Sequence, residues 1–137
     1  MEYEDERRFI QQFIRKERRE RLLYEITSPK KRIRGLNRFC HQADEFIDQS
    51  KIFLQGNDIE SKKEFEHFVA GHNELCRVIS ADLWIDGYFP LSDAVLQASA
   101  CFDAVIVIGS CFALVYTETM KGGRDKYLLL SSEKHYL

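Results

Sequence analysis

Apolar residues at the start of the chain recur at helical spacing. Phe9, Ile10, Phe13 and Ile14 lie three and four apart, and Leu22, Leu23 and Ile26 form a second patch, so the pattern predicts a helix over residues 3–26. Between the patches, Arg15-Lys16-Glu17-Arg18-Arg19-Glu20-Arg21 is polar all round. That stretch is expected in solvent or against a charged partner. Thr27-Ser28-Pro29 interrupts the pattern; Ser28 suits an N-cap and Pro29 a first helical position. A second helix is then expected to about Asp48, burying Ile33, Leu36, Phe39, Cys40, Ala43 and Phe46 or Ile47. Its first turn carries Lys30, Lys31 and Arg32, which oppose the helix dipole at about a few tenths of a kcal/mol each.

The later chain changes period. Lys51 to Gln55 fits a short strand and Gly56-Asn57-Asp58 a turn. Ser61 and Glu64 have capping-box spacing before a third helix over 62–72. Leu75 to Ser80 reads as a strand, Asp82 to Leu91 as irregular, and Ser92 or Asp93 as the cap of a helix reaching Ala100. The run from Ala104 to Ile108 is apolar at every position, as a strand covered on both faces requires. Phe112 to Thr119 and Lys126 to Leu130 are further strands, joined by a turn at Lys121-Gly122-Gly123. The fold class is therefore α+β: N-terminal helices packed with a mostly antiparallel sheet, in a chain that is β-rich at its end. Residues 1–137 read as one domain, with a basic helical portion (1–50) and an acidic α+β portion (51–137).

The charge split sharpens that division. Residues 1–38 hold 12 Lys and Arg against 7 Asp and Glu, whereas residues 39–137 hold 8 against 15. The near-neutral total of −2 conceals it. An apolar content of 45% supports a packed core and argues against disorder. The opening lacks the apolar stretch of a signal peptide, and the longest apolar runs are too short to span a bilayer, so a cytoplasmic protein with no membrane contact is expected. Cys40, Cys76, Cys101 and Cys111 include no C-x-x-C pair and read as buried thiols. A Cys101–Cys111 disulfide would need an oxidising compartment.

No catalytic motif is legible. Gly109-Ser110-Cys111 follows a buried strand, but Ile108 and Phe112 stand where a nucleophile elbow needs glycines. His67 and His72 are spaced wrongly to share a helix face as metal ligands, so no metal or cofactor is expected. Glu64 and His67 could act as an acid–base pair, against the simpler reading of two solvated side chains. The basic segment, with Arg15, Arg18, Arg19, Lys30, Lys31, Arg32 and Arg34, would neutralise phosphates of RNA or DNA. Glu17, Glu20 and Glu25 interrupt it, and a solvated helix is the plainer reading. Asp82, Trp84, Asp86 and Tyr88 form the best candidate contact for a protein partner, because aromatic anchors beside carboxylates suit a basic surface. The competing reading puts Trp84, Ile85 and Phe89 in the core.

An acidic α+β body with a basic helical opening resembles the immunity proteins of bacterial polymorphic toxins, of the contact-dependent growth inhibition type. The residues behind the resemblance run from Arg7-Arg8-Phe9-Ile10 through Arg18-Arg19-Glu20-Arg21-Leu22-Leu23, then Ser28-Pro29-Lys30-Lys31-Arg32 and Arg38-Phe39-Cys40-His41. The resemblance implies a non-enzymatic cytoplasmic protein. It would bind a cognate toxin domain, often a nuclease, and occlude its active site or substrate access. A small RNA-binding regulator that uses the basic helices is the alternative.

Overall fold

The computed structural model describes residues 3–56, 59–80, 86–100, 105–117 and 126–131. The helical opening divides into α1 (Glu4–Phe13) and α2 (Lys16–Ile26) where one helix was expected. Ile14 is extended and forms an isolated antiparallel bridge with Ile47. The Arg15 N–H donates to the Phe46 carbonyl, and the Asp48 N–H to the Phe13 carbonyl, each at 2.8 Å. The break thus comes from backbone partners distant in sequence, with no Gly or Pro to announce it.

Ser28 does not cap the next helix. Its carbonyl accepts from the N–H of Lys31 at 3.0 Å and of Arg32 at 2.9 Å, closing a turn before α3 (Arg32–His41). The chain then leaves helical geometry at Gln42, resumes as the single turn α4 (Ala43–Phe46), and becomes extended at Ile47. Leu36, Phe39 and Cys40 are buried as expected, whereas Ile33 is 54% exposed. α2 and α3 meet closely at Gly35, where an added Cβ would stand 2.7 Å from that of Glu25.

The remaining elements are β1 (Ile52–Gln55), α5 (Ile59–Gly71), β2 (Leu75–Ser80), β3 (Gly87–Pro90), α6 (Leu91–Ala100), β4 (Val105–Ile108), β5 (Phe112–Tyr116) and β6 (Lys126–Leu130). α5 begins at Ile59, which leaves Ser61 inside the helix and Glu60 in the first turn, where the dipole favours it. The strands form one antiparallel sheet in the order β1-β6-β5-β4-β2-β3. The α+β expectation holds. β3 corrects the irregular reading of its segment: it pairs with β2 in register, Arg77 opposite Tyr88 and Cys76 opposite Phe89.

Side chains alternate along a strand, and both faces of this sheet are covered. Ile79, Ile106, Ile108, Ala113, Val115 and Leu129 pack against the α1–α4 layer. Val78, Val105, Val107, Leu114, Leu128 and Leu130 pack against α5 and α6. Two-sided burial is why β4, β5 and β6 read as continuous apolar runs in an antiparallel sheet. In the first layer Phe9, Phe13, Phe39 and Phe46 form a chain of ring contacts with centroids 5.6–6.0 Å apart. At the β4–β5 turn an added Cβ on Gly109 would stand 2.3 Å from the buried Phe112 ring, so a larger residue here would force that ring to shift.

Candidate partner-binding site

Arg77 occupies β2 on the same face as Ile79, under the α1–α4 layer, and there it meets charge instead of apolar side chains. Glu6 descends from α1 and is only 2% exposed. Arg32 enters from the first turn of α3, and Asp86 from the residue before β3. Arg77 Nη2 lies 2.9 Å from Asp86 Oδ1 and 3.6 Å from Glu6 Oε2. Arg32 Nη2 lies 3.0 Å from Asp86 Oδ2, and its Nη1 3.5 Å from Glu6 Oε2. Two guanidinium groups and two carboxylates therefore alternate in a closed ring of matched charge. Further hydrogen bonds satisfy the donors: Arg77 Nη1 donates to the Val78 and Gly87 carbonyls, and Arg32 Nη1 to the Ile26 carbonyl at 2.7 Å. For Arg32, the carboxylates of Glu6 and Asp86 offset the unfavourable position at a helix N-terminus.

A pocket of about 440 Å³ opens above this ring. Tyr3, Glu4, Asp5, Arg77, Asp86 and Tyr88 line it. Tyr3 turns the chain into α1 with a left-handed backbone (φ 62°), uncommon for a residue with a side chain. Tyr88 is 60% exposed, and its hydroxyl donates to Asp5 Oδ2 at 2.8 Å. That hydrogen bond, with some burial, holds the Tyr88 hydroxyl above the usual tyrosine range. Arg77 lies under the Tyr88 ring, 5.4 Å from its centroid. Asp5 also receives Arg8 at 3.1 Å, and Arg8 donates on to the Gly109 carbonyl, which ties α1 to the β4–β5 turn. Glu4 is exposed.

Of the expected partner contacts, Tyr88 is on the surface, Asp86 spends its oxygens on Arg32, Arg77 and the Ser80 N–H, and Asp82 and Trp84 lie outside the described residues. Phe89 turns inward against the α5–α6 cluster. Tyr3, Glu4 and Asp5 were not singled out from the sequence, although three consecutive acids at a helix start are a readable signal.

The basic set is dispersed in its bonding. Arg15 donates to the Ile47 and Asp44 carbonyls at 3.0 Å, and Arg19 to the Ile14 carbonyl at 2.9 Å, so both seal the α1–α2 break. Arg32 is in the ring described above. Arg18 lies over Phe46 and 3.9 Å from Glu45, and Lys31 over Tyr24. Lys30 and Arg34 are exposed.

Elsewhere, Glu64 and His67 are exposed beside a groove that also includes Phe53, while His72 stacks on Phe68 with its Nδ1 2.9 Å from the Phe68 carbonyl. Burial, with the nearby Glu74 charge, pushes the Cys76 thiol up to about 12, which leaves it neutral and unreactive. Cys40 and Cys76 are buried as expected and Cys111 is half-buried, none of the three in a disulfide; Cys101 lies outside the described residues. Among the described residues no group of three His, Cys, Asp or Glu could hold a metal ion, and no helix is long and apolar enough to cross a membrane.

The ring makes a pH prediction. Burial raises the Asp86 carboxyl, but hydrogen bonds from Arg32 and the Ser80 N–H and the charge of Arg77 outweigh it and hold the group below the usual aspartate range. A depressed folded-state value means the unfolded chain binds the proton more readily. The stabilisation is therefore complete above about pH 5 and is lost as pH falls through the folded value. Stability measured by urea unfolding between neutral and acid pH should fall more steeply in the wild type than in Asp86→Asn. Parallel curves would remove Asp86 from the acid response.

Comparison with known proteins finds no matching family, no matching curated protein and no matching solved structure.

Proposed function

We propose that this chain is a cytoplasmic, non-enzymatic immunity protein of the contact-dependent growth inhibition kind, which binds a cognate toxin domain and blocks its active site or its access to substrate. The supporting observation is the pocket at the start of α1. It offers an exposed Tyr88 ring held by Asp5, with Glu4 beside it, on a scaffold braced by four interlocked charges. A braced aromatic anchor costs little entropy when a partner covers it, and flanking carboxylates match the basic cleft of a nuclease. The acidic balance of residues 39–137 would steer the same partner inward.

The test is growth of cells that carry an inducible copy of the C-terminal coding region immediately upstream of this gene, with and without this protein. Killing by the upstream region and rescue by this chain are expected. An upstream region that is harmless, or that kills despite the chain, would overturn the proposal. The alternative, an RNA-binding regulator, draws support from the exposed Lys30 and Arg34. It requires binding that weakens steeply as salt rises.

A further inference from the structure

A second surface of opposite sign lies between α1 and α2. A groove of about 500 Å³ there is lined by Arg7, Lys16 and Arg19, with the Glu20 carboxylate beside them; its apolar lining is the half-buried Leu23 over the buried Ile10. Arg19 spends its Nε on the Ile14 carbonyl, which holds the guanidinium in place. Among the described residues the side chains of Arg7 and Lys16 have no hydrogen-bond or ion-pair partner, and Lys16 does not pair with Glu20 one turn away. Arg8, Arg15, Arg18, Arg32 and Arg38, by contrast, each bond to a carboxylate or a carbonyl of the chain itself, whereas Lys30 and Arg34 are exposed away from this groove.

We propose that this groove docks an acidic, amphipathic segment of a protein partner, its carboxylates against Arg7 and Lys16 and an aliphatic side chain against the half-buried Leu23. Charge complementarity names the sign of the occupant. The lining names its class. Among the described residues no aromatic ring lines the groove to stack a base. A half-buried leucine flanked by cations instead fits carboxylates interleaved with leucine-like side chains. This surface is separate from the Tyr88 pocket and does not depend on the toxin-binding reading.

The test uses the full chain, ¹⁵N-labelled, titrated at low salt with a short peptide of repeated Glu-Leu-Glu units and, separately, with oligouridylate. The peptide is expected to shift the amides of α1 and α2. The variant Arg7→Glu, Lys16→Glu should bind it about tenfold more weakly or worse. Its melting temperature should stay near that of wild type, because neither side chain has a partner to lose among the described residues. The milder Arg7→Gln, Lys16→Gln serves if the reversal perturbs folding, and it should show a smaller loss in the same direction. Wild-type affinity in both variants would overturn the proposal. So would shifts produced by oligouridylate in place of the peptide, or shifts from neither probe.

Discussion

Replacing Arg77 with methionine is expected to lower the unfolding free energy by about 3–5 kcal/mol, the range for breaking a buried ion pair by removing one partner. Arg77 serves two carboxylates at once, and Glu6 has almost no access to water that could replace it. Without Arg77, one of the two guanidinium groups facing Glu6 is gone, and among the described residues the 3.5 Å contact with Arg32 is what remains. The loss is large against the roughly 5–15 kcal/mol that holds a domain of this kind together. Urea unfolding at neutral pH measures it. Adding Glu6→Gln to Arg77→Met should restore part of the stability, because it removes the stranded charge. A loss below about 1 kcal/mol for Arg77→Met alone would show that the ring contributes no more than a surface pair.

The double variant Glu4→Lys, Tyr88→Ala is expected to weaken the complex with the toxin domain by about 2–4 kcal/mol, roughly 30- to 700-fold in Kd. Truncating Tyr88 removes the anchor, and the charge reversal at Glu4 places like charge against a basic cleft. Both side chains are exposed, so the melting temperature should move little. Asp86→Lys is a poor probe of the same contact. It would put a cation between Arg32 and Arg77 and unfold the site before reporting on any partner. Isothermal titration with the purified toxin domain measures the effect. Wild-type affinity in the double variant would move the contact away from this pocket while leaving immunity itself to the growth assay.

The strands that stand alone in apolar content were readable from the chain. β2 and β6 run over the expected residues, and β4 falls within its expected run, because β-branched and aliphatic residues there serve two buried faces. β3 was not readable. Gly87 and Pro90 bracket only Tyr88 and Phe89, and the strand exists because β2 presents it with an edge. The α1–α2 break was hidden for a related reason: Ile14 and Arg15 are acceptable helix residues, and only Phe46 and Ile47 draw the backbone away. The site was half legible. Composition marked Asp86 and Tyr88 as notable, but Asp86 faces inward because Arg32 and Arg77 converge on it from elements far apart in sequence. No local pattern encodes such a meeting. Glu25 is a parallel case: buried at 5% exposure, it takes both terminal nitrogens of Arg38 from the neighbouring helix.

The strand order has a consequence for how the chain is made. Among the described residues β1 bonds only to β6, so Ile52 waits for Leu129 before its backbone is paired. On a ribosome, which delivers the chain from its first residue, the helical layer and the β2–β3 hairpin emerge long before that partner. During that interval Phe53 and Leu54 sit on an open edge, and β5 also lacks its neighbour. Translation that stalls before residue 126 would release a product with β1 unpaired and the β5 edge open, ready to pair with another such product. β6 is thus the step that joins β1 to the rest of the sheet, and chains lacking it should be found in aggregates or cleared by proteases.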